Sequence, residues 1–337
     1  MILARRILIS LIILLLIAPP AHAWNAVGHS VIAKIAYARL TPAERQKVFD
    51  VLKQHPHFKD YLNADVPTGA DEQEWAFMRA AVWSDWVRPP RNFQGKPEDH
   101  PIHKFHRSTW HYINYPYKKG QTDLTLGEPL KQPFNAEQQI PLSVKFAKAG
   151  AGEDSGAAAG VTAEQNRAVR TCWAFHLIGD IHQPCHVTAF VDPDRLPLGD
   201  EGGNKTSLRV DIGAEPTKLH TLWDAMLGTD ADPESIADLG ASLLKDPALQ
   251  PDKIPEAANG DVKAWVQESY KLSVAAAYLN GELPIVLWDD YKSGVVPIQD
   301  VPILPIGTEK KARAIARRQA VVAGQRLADK LREVIAE

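Results

Sequence analysis

Two cysteines among 337 residues are too few for a disulfide framework, which excludes the small bridge-stapled scaffolds of secreted proteins. If residues 166–181 are helical, Cys172 and Cys185 meet only if the connecting turn doubles straight back, so we expect two free, mostly buried thiols. Surplus positive charge is missing too: 38 Lys and Arg stand against 41 Asp and Glu, a formal net charge of −3. A protein that gripped a duplex mainly through its phosphates would be basic, so any contact with nucleic acid must be local. Strand-like alternation is scarce, no internal repeat occurs, and no Ser/Gly linker divides the chain, so residues 24–337 read as one domain. The longest apolar run, Ile7 to Pro20, is too short to span a bilayer.

That run fits a secretory signal instead. Arg5 and Arg6 form the charged start, the apolar stretch follows, and Ala21-His22-Ala23 is a small-x-small cleavage site. Residues 1–23 are therefore read as a signal peptide whose removal leaves Trp24 as the mature N-terminus. The product would be periplasmic or secreted, with no stable membrane association, and is read as a monomer. Losing Arg5 and Arg6 makes the net charge more negative still.

Helical signals dominate what remains, and the fold class expected is all-α. A helix over about Val27 to Ala38 is followed by Thr41-Pro42-Ala43-Glu44, a capping box with proline at the first helical position. Residues 72–88 read as an amphipathic helix stopped by Pro89-Pro90, and 163–182 as a long apolar one stopped before Pro184. Further helices are expected at 217–228, 234–245, 261–281 and 308–336. Residues 89–109 and 117–160 are rich in turn formers and read as irregular, the second as a long mobile loop beside the site.

Within these elements histidine and aspartate fall at helical spacing. In HLIGDIHQPCH, His176 and Asp180 are four apart and share a helix face, while His186 follows a Gln183-Pro184 turn that can swing it toward a second centre. LHTLWD repeats the spacing with His220 and Asp224. Taken singly, such a pair is more often a solvent-facing ion pair than a metal site. Here Phe175, Leu177 and Leu219 flank the histidines, and buried polar groups need partners that a metal ion can supply. WNAVGH adds His29 and a potential terminal amine at Trp24, AVWSDWVR adds Asp85 and Arg88, and TWHYIN adds His111 beside Tyr112. The run His100, His103 and His106 sits in a Pro-bearing loop and reads as solvated, and His55, His57 and His182 are left outside the ligand set.

The ordered motifs WNAVGH, WSDWVR, WHYIN, HLIGDIHQPCH, GDEGGN and LHTLWD resemble the zinc-dependent single-strand nuclease and 3′-nucleotidase family, typified by the fungal nucleases S-one and P-one. The resemblance implies three Zn2+: one held by Asp85, His111, His176 and Asp180, one by His186, His220 and Asp224, and one by the Trp24 amine and carbonyl, His29 and the shared Asp180. It implies in-line attack of water on phosphorus with Asp85 orienting the nucleophile, and Arg88 facing the charge that grows in the transition state. Single-stranded DNA and RNA and 3′-nucleotides are the implied substrates, with 5′-phosphate products. Tyr112 would stack the base. Asn114 stands where the fungal enzymes have an aspartate that bonds the base edge, and the Gly202-Gly203-Asn204 loop would line the same pocket, with Asn204 in contact. Two alternatives stay open: a zinc phospholipase C-like phosphodiesterase, although the last ligand there is characteristically Glu rather than Asp224, and a periplasmic zinc-binding protein without turnover.

Overall fold

The computed structural model describes residues 24–336, so the signal-peptide reading of residues 1–23 lies outside the described residues. Helix α1 (Ala26–Arg39) begins at Asn25, whose side chain accepts the Gly28 amide N–H, and α2 (Pro42–Leu52) begins at the Thr41–Glu44 capping box read from the sequence. Helix α3 (Glu72–Trp86) starts on Asp71, which accepts the N–H groups of Gln73 and Glu74. These caps satisfy amide donors that the first helical turn leaves without partners. Ten residues of α1 are buried, because it is covered on several sides by α3, by α5 (Ala163–Asp180), by α7 (Pro233–Lys245) and by α10 (Thr308–Ile335). A helix covered in this way has no polar face to spare, so a titratable residue that it buries completely, His29, has to be accounted for by the site.

The class is helical, as expected, with five short strands among the described residues. Strand β1 (Tyr115–Lys118) pairs in parallel with β2 (Thr188–Val191), Tyr115 opposite Thr188. Strand β3 (Thr206–Leu208) lies between β4 (Thr217–Lys218) and β5 (Val286–Leu287), antiparallel to both. Trp24, Trp83, Trp173, Trp223 and Trp265 are all fully buried and give the core much of its bulk. Both cysteines are free and buried, as the spacing implied. Among the described residues no helix is long and apolar enough to cross a membrane.

Three expectations need correction. Residues 117–160 are not one irregular stretch, because α4 (Ala136–Ala147) lies inside them, capped reciprocally by Asn135 and Gln138 and packed on α5 despite Pro141 in its interior. Further along, Asp154 accepts hydrogen bonds from Arg170 Nε at 2.6 Å and Asn166 Nδ2 at 3.0 Å, which ties that end of the segment to α5. The helix expected at 217–228 is only α6 (Leu219–Asp224), since Thr217 and Lys218 are drawn into strand pairing. The helix expected at 261–281 is α8 (Val262–Leu272), which widens into a π turn over Ser273–Ala277 and ends where Leu279 and Asn280 adopt positive φ. A short helix, α9 (Trp288–Lys292), follows β5 and had no clear signal.

Candidate metal centre

Six separate segments converge on one buried cluster. Helix α1 supplies His29, α3 supplies Asp85, the tight turn Ser108–His111 supplies His111, α5 supplies His176 and Asp180, the turn Pro184–His186 supplies His186, and α6 supplies His220 and Asp224. None of these eight residues is more than 6% exposed. They form three groups whose ligand-type atoms lie within 4.8 Å of one another: His29, His176 and Asp180; Asp85, His111 and His176; and His186, His220 and Asp224.

Asp180 is the hub. His29 Nε2 is 3.3 Å from its Oδ1, while His111 Nδ1 and His176 Nε2 are 3.2 and 3.3 Å from its Oδ2. The His29 and His176 rings stack at 4.0 Å, and Gly179 makes this approach possible, because a Cβ there would come 2.8 Å from His29 Nδ1. His176 Nε2 also lies 2.9 Å from His111 Nδ1 and 3.8 Å from Asp85. Helical spacing explains the His176–Asp180 and His220–Asp224 pairs, the latter 3.7 Å apart. Only the tertiary fold brings the remaining residues to them.

The imidazoles are aimed by the backbone. His176 Nδ1 donates to the Ala81 carbonyl at 2.8 Å, His186 Nδ1 to the His111 carbonyl at 2.6 Å, and His220 Nδ1 to the Gly202 carbonyl at 2.8 Å. A proton fixed on Nδ1 leaves Nε2 with a lone pair directed at the cluster, as metal-binding histidines require. Gly202 must be glycine for this: its φ is +63°, and a Cβ would run into the Cys185 carbonyl. Gln183 donates to Asp224 Oδ1 at 2.7 Å and orients that carboxylate in the same way. Asp200, fully buried beneath the loop, accepts from Thr206 at 2.8 Å, the Phe190 amide at 2.9 Å and Tyr278 at 2.9 Å.

Electrostatically the cluster is unfinished. Burial pushes His29, His111 and His186 below their ordinary values, takes His220 to about 3, and drives Asp224 well up. For His176, burial is outweighed by Asp180 and Asp85, which lift it to about 9. Burial likewise opposes charge on Asp180, but His176 and hydrogen bonds from the histidines hold it well below the carboxylate range. Nδ1 of His29, Nε2 of His111 and Nε2 of His186 are buried with no hydrogen-bond partner. Several orphaned acceptors in one place are costly unless something positive sits among them. Imidazole and carboxylate donors suit a borderline divalent cation such as zinc, so the residues fit the metal.

A cavity of about 330 Å3 opens over the cluster, and His111, His186 and His220 form its floor. Arg88, Tyr112 and Asn204 line its walls, and Arg88 Nη2 is 3.7 Å from Asp85 Oδ1. Asn204 donates to the Glu201 carbonyl at 3.1 Å. Asn114 is not among the lining residues; its carbonyl accepts the Leu130 amide at 2.7 Å, linking it to the strap that follows β1. Trp24 is fully buried, and the next residue is held against α6, Asn25 N donating to the Asp224 carbonyl at 3.3 Å.

Sequence reasoning missed three participants. Gln183 acts on Asp224, and Asp200 braces the loop of Gly202 and Asn204 through Thr206 and Tyr278; neither carried a spacing signal. His106 lines the cavity together with Ser108, contrary to the solvated reading, and burial, reinforced by His111 and Arg88, pushes its imidazole down to about 4. Of the other histidines in that run, His103 donates to the Val87 carbonyl at 2.9 Å and stacks on His100 at 4.2 Å. His182 stays outside the cluster as expected, its Nε2 facing Arg326 at 2.8 Å.

Endonuclease 2 of Arabidopsis thaliana is 25% identical over 239 residues, covering 69% of this chain and 64% of that protein. Endonuclease 4 of the same plant is 33% identical over 136 residues, covering 36% of this chain and 42% of its own length. The chain thus spans less than two thirds of either relative. The sequence model of the S1/P1 nucleases matches residues 24–336, which takes in every residue of the cluster and its cavity, and the chain belongs to the S1/P1 nuclease family.

Proposed function

We propose that the mature chain is an exported, monomeric, single-domain hydrolase carrying three Zn2+, which cuts phosphodiester bonds of single-stranded DNA and RNA to 5′-phosphate products and removes the phosphate of 3′-nucleotides. The observation that carries this reading is the convergence of eight buried ligand side chains under a cavity walled by an arginine and a tyrosine. Asp85, His111, His176 and Asp180 would hold one ion; His186, His220 and Asp224 a second; Trp24 through its main chain, His29 and Asp180 a third. When bound, zinc supplies Lewis acidity, an acidified water and charge neutralisation at the phosphate.

The protein's own groups then divide the remaining work. Asp85, buried and next to both His176 and Arg88, orients the attacking water. Arg88 is less than a third exposed and presents guanidinium N–H groups to the equatorial phosphate oxygens, where negative charge grows. Tyr112, half-buried on the cavity wall, offers its ring to the base, and Asn204 contributes a neutral amide that can both donate and accept. An aromatic platform beside a recessed metal cluster favours an unpaired nucleotide, since a paired base must first leave its stack at a cost of a few kcal/mol.

One assay tests the reading: cleavage of single-stranded DNA, a DNA hairpin, RNA, 3′-AMP and a choline phospholipid by the zinc-loaded mature chain. We expect hairpin loops to be cut at least about tenfold faster than stems, phosphate release from 3′-AMP, and no turnover of the lipid. Preferred lipid hydrolysis would assign a phospholipase, and no turnover at all a zinc-binding protein. Within the same assay, Arg88→Ala should lower kcat by about 10²-fold at unchanged zinc content. Tyr112→Ala should instead raise KM by about tenfold with kcat nearly intact, the loss of one base stack. A reversed pattern would overturn the two roles.

A further inference from the structure

We propose that His106 is a phosphate-contacting residue of this site, donating a ring N–H to an oxygen of the phosphate that is cleaved; the inference rests on the nuclease reading above. It begins with an unfilled hydrogen bond. His106 Nδ1 is shut off from solvent and has no partner, and among the described residues the fold makes no hydrogen bond to its imidazole. The enclosed Nδ1 cannot itself meet a ligand; the nitrogen that can is Nε2, which is not enclosed and which no protein group engages, on a ring that lines the cavity.

Its position is set by the fold. The turn His103–Phe105 ends at His106, whose amide N–H donates to the His103 carbonyl at 2.9 Å. Phe105 anchors that turn, 2% exposed, with its ring 5.1 Å from His57 and 5.6 Å from Trp83. The His106 carbonyl accepts from Arg107 Nη1 at 2.9 Å. The backbone is therefore fixed on both sides while the imidazole is left uncommitted.

The surroundings define the ligand. His106 shares the cavity with Arg88, Ser108, His111 and Tyr112, so the wall offers a guanidinium, a hydroxyl and an imidazole as donors. Of the charged and titratable groups acting on His106, His111, Arg88 and Arg107 disfavour a further positive charge, and only Asp85 favours it. The lining's one carboxylate is Glu201; beside Arg88 a neutral imidazole acts as an N–H donor to an anion, and a tetrahedral oxyanion can take donors from Arg88 and His106 at once. The sources open to it are the phosphate being cleaved and a flanking phosphate of a longer strand. Shared lining with His111, His186 and His220 assigns the first.

The test uses the zinc-loaded mature chain, with inorganic phosphate as a calorimetric probe and 3′-AMP and a single-stranded oligonucleotide as substrates. His106→Ala and His106→Phe should both weaken inorganic phosphate by about tenfold, the loss of one charge-assisted hydrogen bond, and should lower kcat/KM on both substrates in parallel at parental zinc stoichiometry. His106→Gln, which restores an N–H donor, should recover most of the phosphate affinity. Parental phosphate affinity in His106→Ala would overturn the proposal, as would retention in His106→Phe, because the effect would then be packing. A defect on the oligonucleotide alone would assign His106 to a flanking phosphate and overturn it as stated. A parent chain that neither binds phosphate nor cuts either substrate would instead bring down the nuclease reading, and the inference with it.

Discussion

Replacing Asp180 with asparagine will remove metal and cleavage together. The side chain is fully buried, and His29, His111 and His176 all converge on its two oxygens at 3.2 to 3.3 Å. Asparagine has nearly the same volume, so packing is kept. It withdraws the charge, however, and turns an NH2 group toward imidazole nitrogens that need to point lone pairs at a cation. Because Asp180 serves two of the proposed ions, its loss should be felt at both. We expect zinc content to fall by more than one ion per chain and cleavage to fall by well over about a hundredfold, beyond what loss of a merely orienting partner causes. Elemental analysis and a single-strand cleavage assay check this, and circular dichroism separates it from unfolding. Parental zinc content with a parental rate would show that Asp180 is a structural acid and nothing more.

The same variant should disturb the protonation of the cluster. With Asp180 charged, His176 is lifted to about 9 and keeps a proton at neutral pH when no metal is bound. A cation entering the site replaces that proton, so metal and proton are alternative ways of neutralising one buried carboxylate. This explains how so polar a cluster sits inside a hydrophobic core. Its residues are arranged for a positive charge, and the fold supplies part of it in advance.

What could be read from the sequence follows from the range of each interaction. The i, i+4 pairs His176–Asp180 and His220–Asp224, the Thr41 capping box and the start of α3 at Asp71 are local, and local geometry is written in spacing. That Asp85, His111 and His29 join those pairs does not follow from any spacing, and only the resemblance to a family suggested it. The carbonyls that aim the imidazoles, those of Ala81, His111 and Gly202, were invisible because every residue has one. Helix α4 was hidden by Pro141, which reads as a breaker although the Asn135–Gln138 capping box stands a turn and a half before it. His106 was hidden by its neighbours. Three histidines in a Pro-bearing loop look solvated as a set, yet two of them stack on each other and the third turns to the cavity.

A chain that begins at Trp24 will bind one more metal ion, and turn over faster, than one that begins Met-Trp24. Trp24 is fully buried against Gly28, where a Cβ would come 2.8 Å from the Trp24 Cβ, so there is no room to shift this residue along its seat. The following residue is pinned as well, Asn25 donating from its amide to the Asp224 carbonyl at 3.3 Å and from its side chain to the Gly228 carbonyl at 2.6 Å. The Trp24 nitrogen is thus held at a fixed place on the turn that leads into α1 and His29. As a free amine it has a lone pair to offer a metal; as an amide nitrogen its lone pair is delocalised into the carbonyl and it is no ligand. One added residue converts the first into the second. We expect the extended chain to lose close to one zinc ion and to fall in kcat by at least about tenfold, the range seen when a metal centre loses support, while both chains melt alike in EDTA. Equal zinc content and equal kcat would mean that Trp24 is only a core residue and that removal of the leader plays no part in assembling the site.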